Sequence, residues 1–176
     1  MRLTRSLLPF LLLWSLSWGS LTAVAQVRSV ALMPASSHVE FRTYGFGLLP
    51  IDSSFTAFQG TFSFDPTDRA RCEVSLIATV ASLVASKASI RDIIVGPDFL
   101  NAALFPTLHF SGLCDANGLT GLLTMRGITR PLRLTLAWEP HGVTAHGVLR
   151  RADWGMTAKP FLVGSTVRIR VTTTLP

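Results

Sequence analysis

The strongest constraint on this chain is a two-residue alternation of apolar and polar side chains that returns in eight separate runs. They are "SHVEFRTYG", "SSFTAFQGTFSFDP", "CEVSLIATVASL", "TLHFSGLC", "GLTGLLTM", "PLRLTLAW", "GVTAHGVL" and "STVRIRVTTTL". Successive side chains of a strand project to opposite faces, so each run predicts a strand with one apolar face. Val39 and Phe41 share one face, and His38, Glu40 and Arg42 the other. Phe58, Phe62 and Phe64 are in phase around Gly60, an expected bend, and Asp65-Pro66 closes their run. Eight short strands divided by turn residues predict an all-β fold, an antiparallel barrel or sandwich.

One interval has a different period. Lys87 to Phe105 carries Ile90, Ile93 and Ile94 at helical spacing until Gly96-Pro97-Asp98. Asp98 is placed to cap a short second helix reaching about Leu104. A second irregularity is "LTMRGITRPL", Leu123 to Leu132. Leu119 to Met125 reads as one strand and Leu132 to Trp138 as the next. "RGITRP" is then the hairpin loop, with Gly127 in the turn and Arg126 and Arg130 in solvent at the barrel rim.

The N-terminus belongs to no strand. Arg2 and Arg5 precede an apolar run from Leu7 to Trp18, followed by Ala23-Val24-Ala25. That order predicts a signal peptide over residues 1–25, removed after Ala25, and one domain over residues 26–176. The expected location is the periplasm. Without Arg2 and Arg5, 14 basic and 10 acidic side chains remain. The basic residues are scattered with no aromatic–basic stripe, which argues against a nucleic-acid partner. Arg168 and Arg170 share a strand face that could touch an anionic membrane.

Cys72 and Cys114 are the two cysteines, in a chain expected to meet an oxidising compartment. If their strands are antiparallel neighbours, Cys72 opposite Cys114 puts Val74 opposite Gly112 and Leu76 opposite Phe110. A structural disulfide between Cys72 and Cys114 is the expected reading, and two buried, unbonded cysteines are the alternative that also satisfies this register. The histidines His38, His109, His141 and His146 lack metal-ligand spacing, and no nucleophile elbow or paired-carboxylate motif occurs. No metal site and no catalytic set is therefore expected. Apolar surface stands out instead. The expected inner face comprises Phe41, Phe55, Phe58, Phe62, Phe64, Leu76, Phe110, Leu123, Met125, Leu134 and Leu136. A barrel of about eight strands either fills such an interior or holds one elongated ligand.

Taken in order, "SHVEF", "FQGTFSFDP", "VASL", "RDIIVGPDFLNAALFPTLHFSG", "GLLTMRGITRPLRLTL", "RADWGM" and "VGSTVRIRV" resemble the YceI family of bacterial periplasmic proteins. The resemblance implies a lipocalin-like eight-stranded barrel, a helical excursion against one end, and a polyisoprenoid tail inside. It also makes "LT-x-x-G-x-T-x-P" a recurring structural hairpin. The chain departs from the pattern at Tyr44, where many members carry a histidine, in "IRDIIVG", and in its two cysteines. On this reading the protein is a non-enzymatic carrier or scavenger of a long isoprenoid such as a quinone, or a stress-related factor. No cofactor is required beyond the bound lipid. Arg42, Tyr44 or Trp154 could meet its head group. The competing readings are a filled barrel partnering a membrane redox system, and a lipid-modifying enzyme. The oligomeric state stays open, a dimer included.

Overall fold

The computed structural model describes residues 26–175. The expected signal peptide, residues 1–25, lies outside the described residues. Eleven strands form one antiparallel sheet: β1 (Arg28–Leu32), β2 (Ser37–Gly45), β3 (Leu49–Phe55), β4 (Phe58–Phe64), β5 (Cys72–Thr79), β6 (Leu83–Ala85), β7 (Thr107–Asp115), β8 (Gly118–Met125), β9 (Ile128–Glu139), β10 (Gly142–Arg150) and β11 (Thr166–Thr174). One α-helix, α1 (Ala88–Val95), lies between β6 and β7.

The strand order is β1-β4-β5-β7-β8-β9-β10-β11-β2-β3-β6. Near its two ends stand β4 and β3, which are one run of chain interrupted only at Thr56-Ala57. The sheet therefore curls until a single long, bent segment serves both sides. Thr56 N–H donates to Ser82 O at 3.2 Å and Thr79 N–H to Ala57 O at 2.9 Å across the break. This explains the strand count. Each alternating run begins or ends close to a strand boundary in the structure; the runs that hold β3/β4 and β5/β6 are each broken once, and β1 adds an edge beside β4.

The break falls at Thr56-Ala57, not at Gly60, which lies inside the ladder opposite Leu76. A Cβ on Gly60 would approach Ser75 O to 2.2 Å, so glycine permits the close passage of two strands there. The helical interval is also shorter than expected. Residues beyond Gly96 form consecutive turns, with Asn101 at φ 51°, and no second helix capped by Asp98. Asn101 and Ala102 N–H instead return to Gly96 O and Val95 O, both at 2.9 Å, while Phe99 and Leu100 are buried. Two large apolar side chains directed into the barrel outweigh a local capping preference.

The register across β5 and β7 is the expected one, Val74 opposite Gly112 and Leu76 opposite Phe110. Cys72 and Cys114 are joined by a disulfide with Cα atoms 4.8 Å apart. Beside it, Trp138 packs at 5.8 Å from Phe62 and 5.5 Å from Phe64, and the Phe62 and Phe64 rings stack at 5.2 Å. Together they plug one end of the barrel. Ser37 and Thr173 share a buried hydroxyl–hydroxyl hydrogen bond of 2.8 Å between β2 and β11.

Candidate functional site

The opposite end of the barrel opens into a cavity of about 580 Å³. Its walls follow from strand parity. Val39, Phe41 and Thr43 of β2 face inward with Val167, Ile169 and Val171 of β11 and Leu76, Phe110, Leu123 and Leu134 of the far wall. Three segments frame the mouth: the β2–β3 turn around Phe46, helix α1 through Ile90, Ile93 and Ile94, and the loop from Met156 to Val163. A volume in this range with almost wholly aliphatic and aromatic walls suits an apolar ligand.

Seven residues of the expected inner face line the cavity: Phe41, Phe55, Leu76, Phe110, Leu123, Met125 and Leu134. Phe58, Phe62, Phe64 and Leu136 face inward but pack in the core away from it. Phe62 and Phe64 belong to the aromatic plug. Parity identifies the inner face but not the depth along the axis at which packing ends.

None of the three expected head-group residues reaches the cavity. Arg42 is on the outer wall, paired bidentately with Asp52, whose carboxyl is held below its usual range by the Arg42 hydrogen bond. Tyr44 lies under the Arg168 guanidinium, 5.6 Å from its ring centroid, and receives a 3.3 Å hydrogen bond from it. Trp154 is buried, and its indole N–H donates to Leu123 O at 3.1 Å. The four histidines are exposed on strand faces or turns.

The polar side chains that do border the cavity include Thr43, Ser86, Lys87, Arg151 and Lys159. Arg151 carries the most structural consequence. Only 5% exposed, it donates to Gly164 O at 2.9 Å, Val163 O at 3.0 Å and Met156 O. Its guanidinium also lies 5.5 Å from the Phe99 ring centroid. Burial pushes its pKa down from the ordinary value, and the carbonyl dipoles replace the lost water. No apolar period signals this residue in the sequence, because its partners are backbone oxygens of the loop that follows it.

Two other arginines tie α1 and the turns that follow it. Arg91 anchors α1 by donating to Leu83 O at 3.0 Å and Ala81 O at 2.7 Å. Arg126 donates to Pro97 O at 3.0 Å and to Phe99 O. The expected six-residue loop is thus a two-residue turn. Arg126 and Gly127, at φ 54° and 71°, form it, and the ladder resumes at Ile128 with Pro131 opposite Leu122. Such a turn favours Asn-Gly; arginine stands at its first position and its side chain is not free in solvent. Arg130 is exposed, as expected.

The YceI-like domain pattern matches residues 31–175. The chain belongs to the YceI family. It is similar to Protein YceI of Escherichia coli O157:H7, 29% identical over 125 residues, which are 68% of this chain and 65% of that protein. The match thus spans just under two thirds of the length of that relative. The fold is similar to Burkholderia cenocepacia BcnA, with a TM-score of 0.68, 23% identity and coverage of 81% of this chain and 98% of the other. A polyisoprenoid binding domain from Saccharophagus degradans aligns with a TM-score of 0.57 and 12% identity, covering 86% of this chain and 100% of the other.

Proposed function

We propose that the protein binds a polyisoprenoid lipid, holding its tail in the barrel cavity as an exported carrier or scavenger without chemical change to it. The observation that carries this reading is the cavity itself: about 580 Å³, plugged at one end, with a mouth wide enough to be bordered by three separate segments. Family membership and the fold shared with a polyisoprenoid binding domain support the ligand class. The physical rationale is transfer free energy. Each CH₂ moved from water into an apolar site gains about 0.8 kcal/mol, so walls without a metal or covalent link can retain a long tail. The branched, flat isoprene unit suits a cavity in which aromatic side chains such as Phe41 and Phe110 face aliphatic ones. A polar head would stay at the mouth, where Lys87 and Lys159 stand. An isoprenoid quinone is one such ligand, and the periplasm is the proposed site of action.

Native mass spectrometry of protein purified from a bacterial periplasm, followed by organic extraction, tests the proposal. A stoichiometric isoprenoid is expected, and its mass gives the tail length and head group. Protein that carries none and takes up no added isoprenoid quinone overturns it.

A further inference from the structure

The rim of the mouth is not finished like a solvent-facing surface. Phe46 and Leu48 in the β2–β3 turn are 68% and 84% exposed, and Leu49 at the start of β3 is 62% exposed. Across from them, Phe161 and Leu162 are 93% and 45% exposed, and Ile93 of α1 is 43% exposed. Single exposed apolar residues are ordinary; a set gathered around one opening is a mark of an interaction surface.

These tips are held in place. Phe46 N–H donates to Leu162 O at 2.9 Å, and Gly164 N–H to Tyr44 O at 2.7 Å, joining the two loops as one ledge. A bridge between Gly45 and Val163 lies within the same joint. Arg151 fixes the base of the second loop through its three carbonyl bonds. The apolar ledge is therefore built into the fold.

Charge selects the partner. The chain contains two lysines, Lys87 and Lys159, and both border this mouth, whereas its other basic side chains are arginines. Neither lysine has a carboxylate within ion-pair distance among the described residues. Asp92, on the neighbouring helix, is paired with Arg91 at 3.1 Å. Glu40, which also borders the cavity, lies on the outward phase of β2 opposite Arg170. Apolar tips beside ammonium groups match the layered chemistry of an anionic bilayer, with acyl chains beneath phosphates.

We propose that the mouth docks on an anionic phospholipid bilayer, with Leu48 and Phe161 entering the acyl boundary and Lys87 and Lys159 meeting lipid phosphates. The surface differs from the Arg168 and Arg170 strand face, where Arg168 is engaged with Tyr44. Docked this way, the cavity opens toward the hydrocarbon, and a tail passes between bilayer and barrel without crossing water. This last consequence rests on the proposed isoprenoid binding; the docking itself does not.

Vesicle flotation tests it, using protein processed from the full chain and lipid free of isoprenoid. Phosphatidylcholine vesicles are compared with vesicles containing 3 parts in 10 phosphatidylglycerol, roughly the charge needed for a clear surface potential. Binding is expected to the anionic vesicles, falling at high salt as the lysine contribution is screened. Lys87→Gln with Lys159→Gln should weaken partition roughly 30-fold, about fivefold for each charge. Leu48→Ser with Phe161→Ser should weaken it at least about tenfold while isoprenoid uptake is kept, since neither residue lines the cavity. Far-UV circular dichroism and thermal melting identify any variant that fails to fold, and Leu48→Asn with Phe161→Asn then replaces it. No flotation of the wild type at low salt, or flotation unchanged by both pairs, overturns the proposal. So does a dimer that the serine variants dissociate without vesicle binding. Isoprenoid uptake, measured separately, fails only if the cavity reading is wrong.

Discussion

Leu119 and Leu123 sit on the same inner face of β8, are 2% and 6% exposed, and differ chiefly in what lies beyond them. Leu119 is packed among Cys114 and Leu134, while Leu123 borders the cavity. Truncation of either leucine to alanine removes three carbons, a transfer loss of about 2.4 kcal/mol at about 0.8 kcal/mol for each. At Leu119 the change also leaves a new void, costing about 24 cal/mol for each Å³ that does not collapse, which brings a well-packed site toward about 4–5 kcal/mol. At Leu123 the removed volume joins a cavity that already exists, so the second contribution is absent. Leu119→Ala is expected to cost about 2 kcal/mol more than Leu123→Ala. Urea denaturation with the disulfide intact measures this as a midpoint difference of about 1 M at equal slope. Equal losses within about 0.5 kcal/mol would refute an open cavity and restore the filled barrel.

Three further outcomes follow from individual groups. Arg151→Met should destabilise the fold by about 3 kcal/mol, the gross value of its three charge-assisted bonds less the cost of burying the cation. Amide hydrogen exchange should show the loss concentrated at residues 156–164, and uniform loss would contradict the clamp. Cys72→Ala with Cys114→Ala opens a link between residues 42 apart in sequence, worth about 4 kcal/mol in the chain-entropy estimate and read as a lower urea midpoint. Asp65 accepts hydrogen bonds from the Thr67 hydroxyl and backbone N–H, which hold its carboxyl below the usual range. Its folded pKa is depressed, so its stabilisation is present above the unfolded value, about pH 4, and is lost as pH falls through the folded value. Asp65→Asn should lower stability at pH 7 and flatten that acid limb in a urea series; an unchanged limb would assign the acid sensitivity elsewhere.

Much of the barrel wall was legible residue by residue. Given neighbouring antiparallel strands with Cys72 opposite Cys114, parity sets the register between β5 and β7, and it puts Phe110 and Leu123 on the cavity side. Val167, Ile169 and Val171 line the cavity and were equally legible from the alternation that put Arg168 and Arg170 outside. Less legible was the polar part of the mouth. Arg126 works through carbonyls 27 and 29 residues away and Arg151 through carbonyls 5 to 13 residues away, and backbone partners leave no periodic trace. Asp98 showed the converse: a good local cap signal was overridden by the burial of Phe99 and Leu100.

The sequence by itself determined short strands, each with one apolar face, because alternation is a local property of each strand. Tertiary structure alone decided where that interior is packed and where it is open. Void volume is what remains after side chains from distant strands are summed, and no single strand contains it. Phe62, Phe64 and Trp138 close one end only because β4 and β9 face each other across the barrel there. At the open end, Arg91, Arg126 and Arg151 each tie their segment to backbone carbonyls that only the tertiary structure brings within reach.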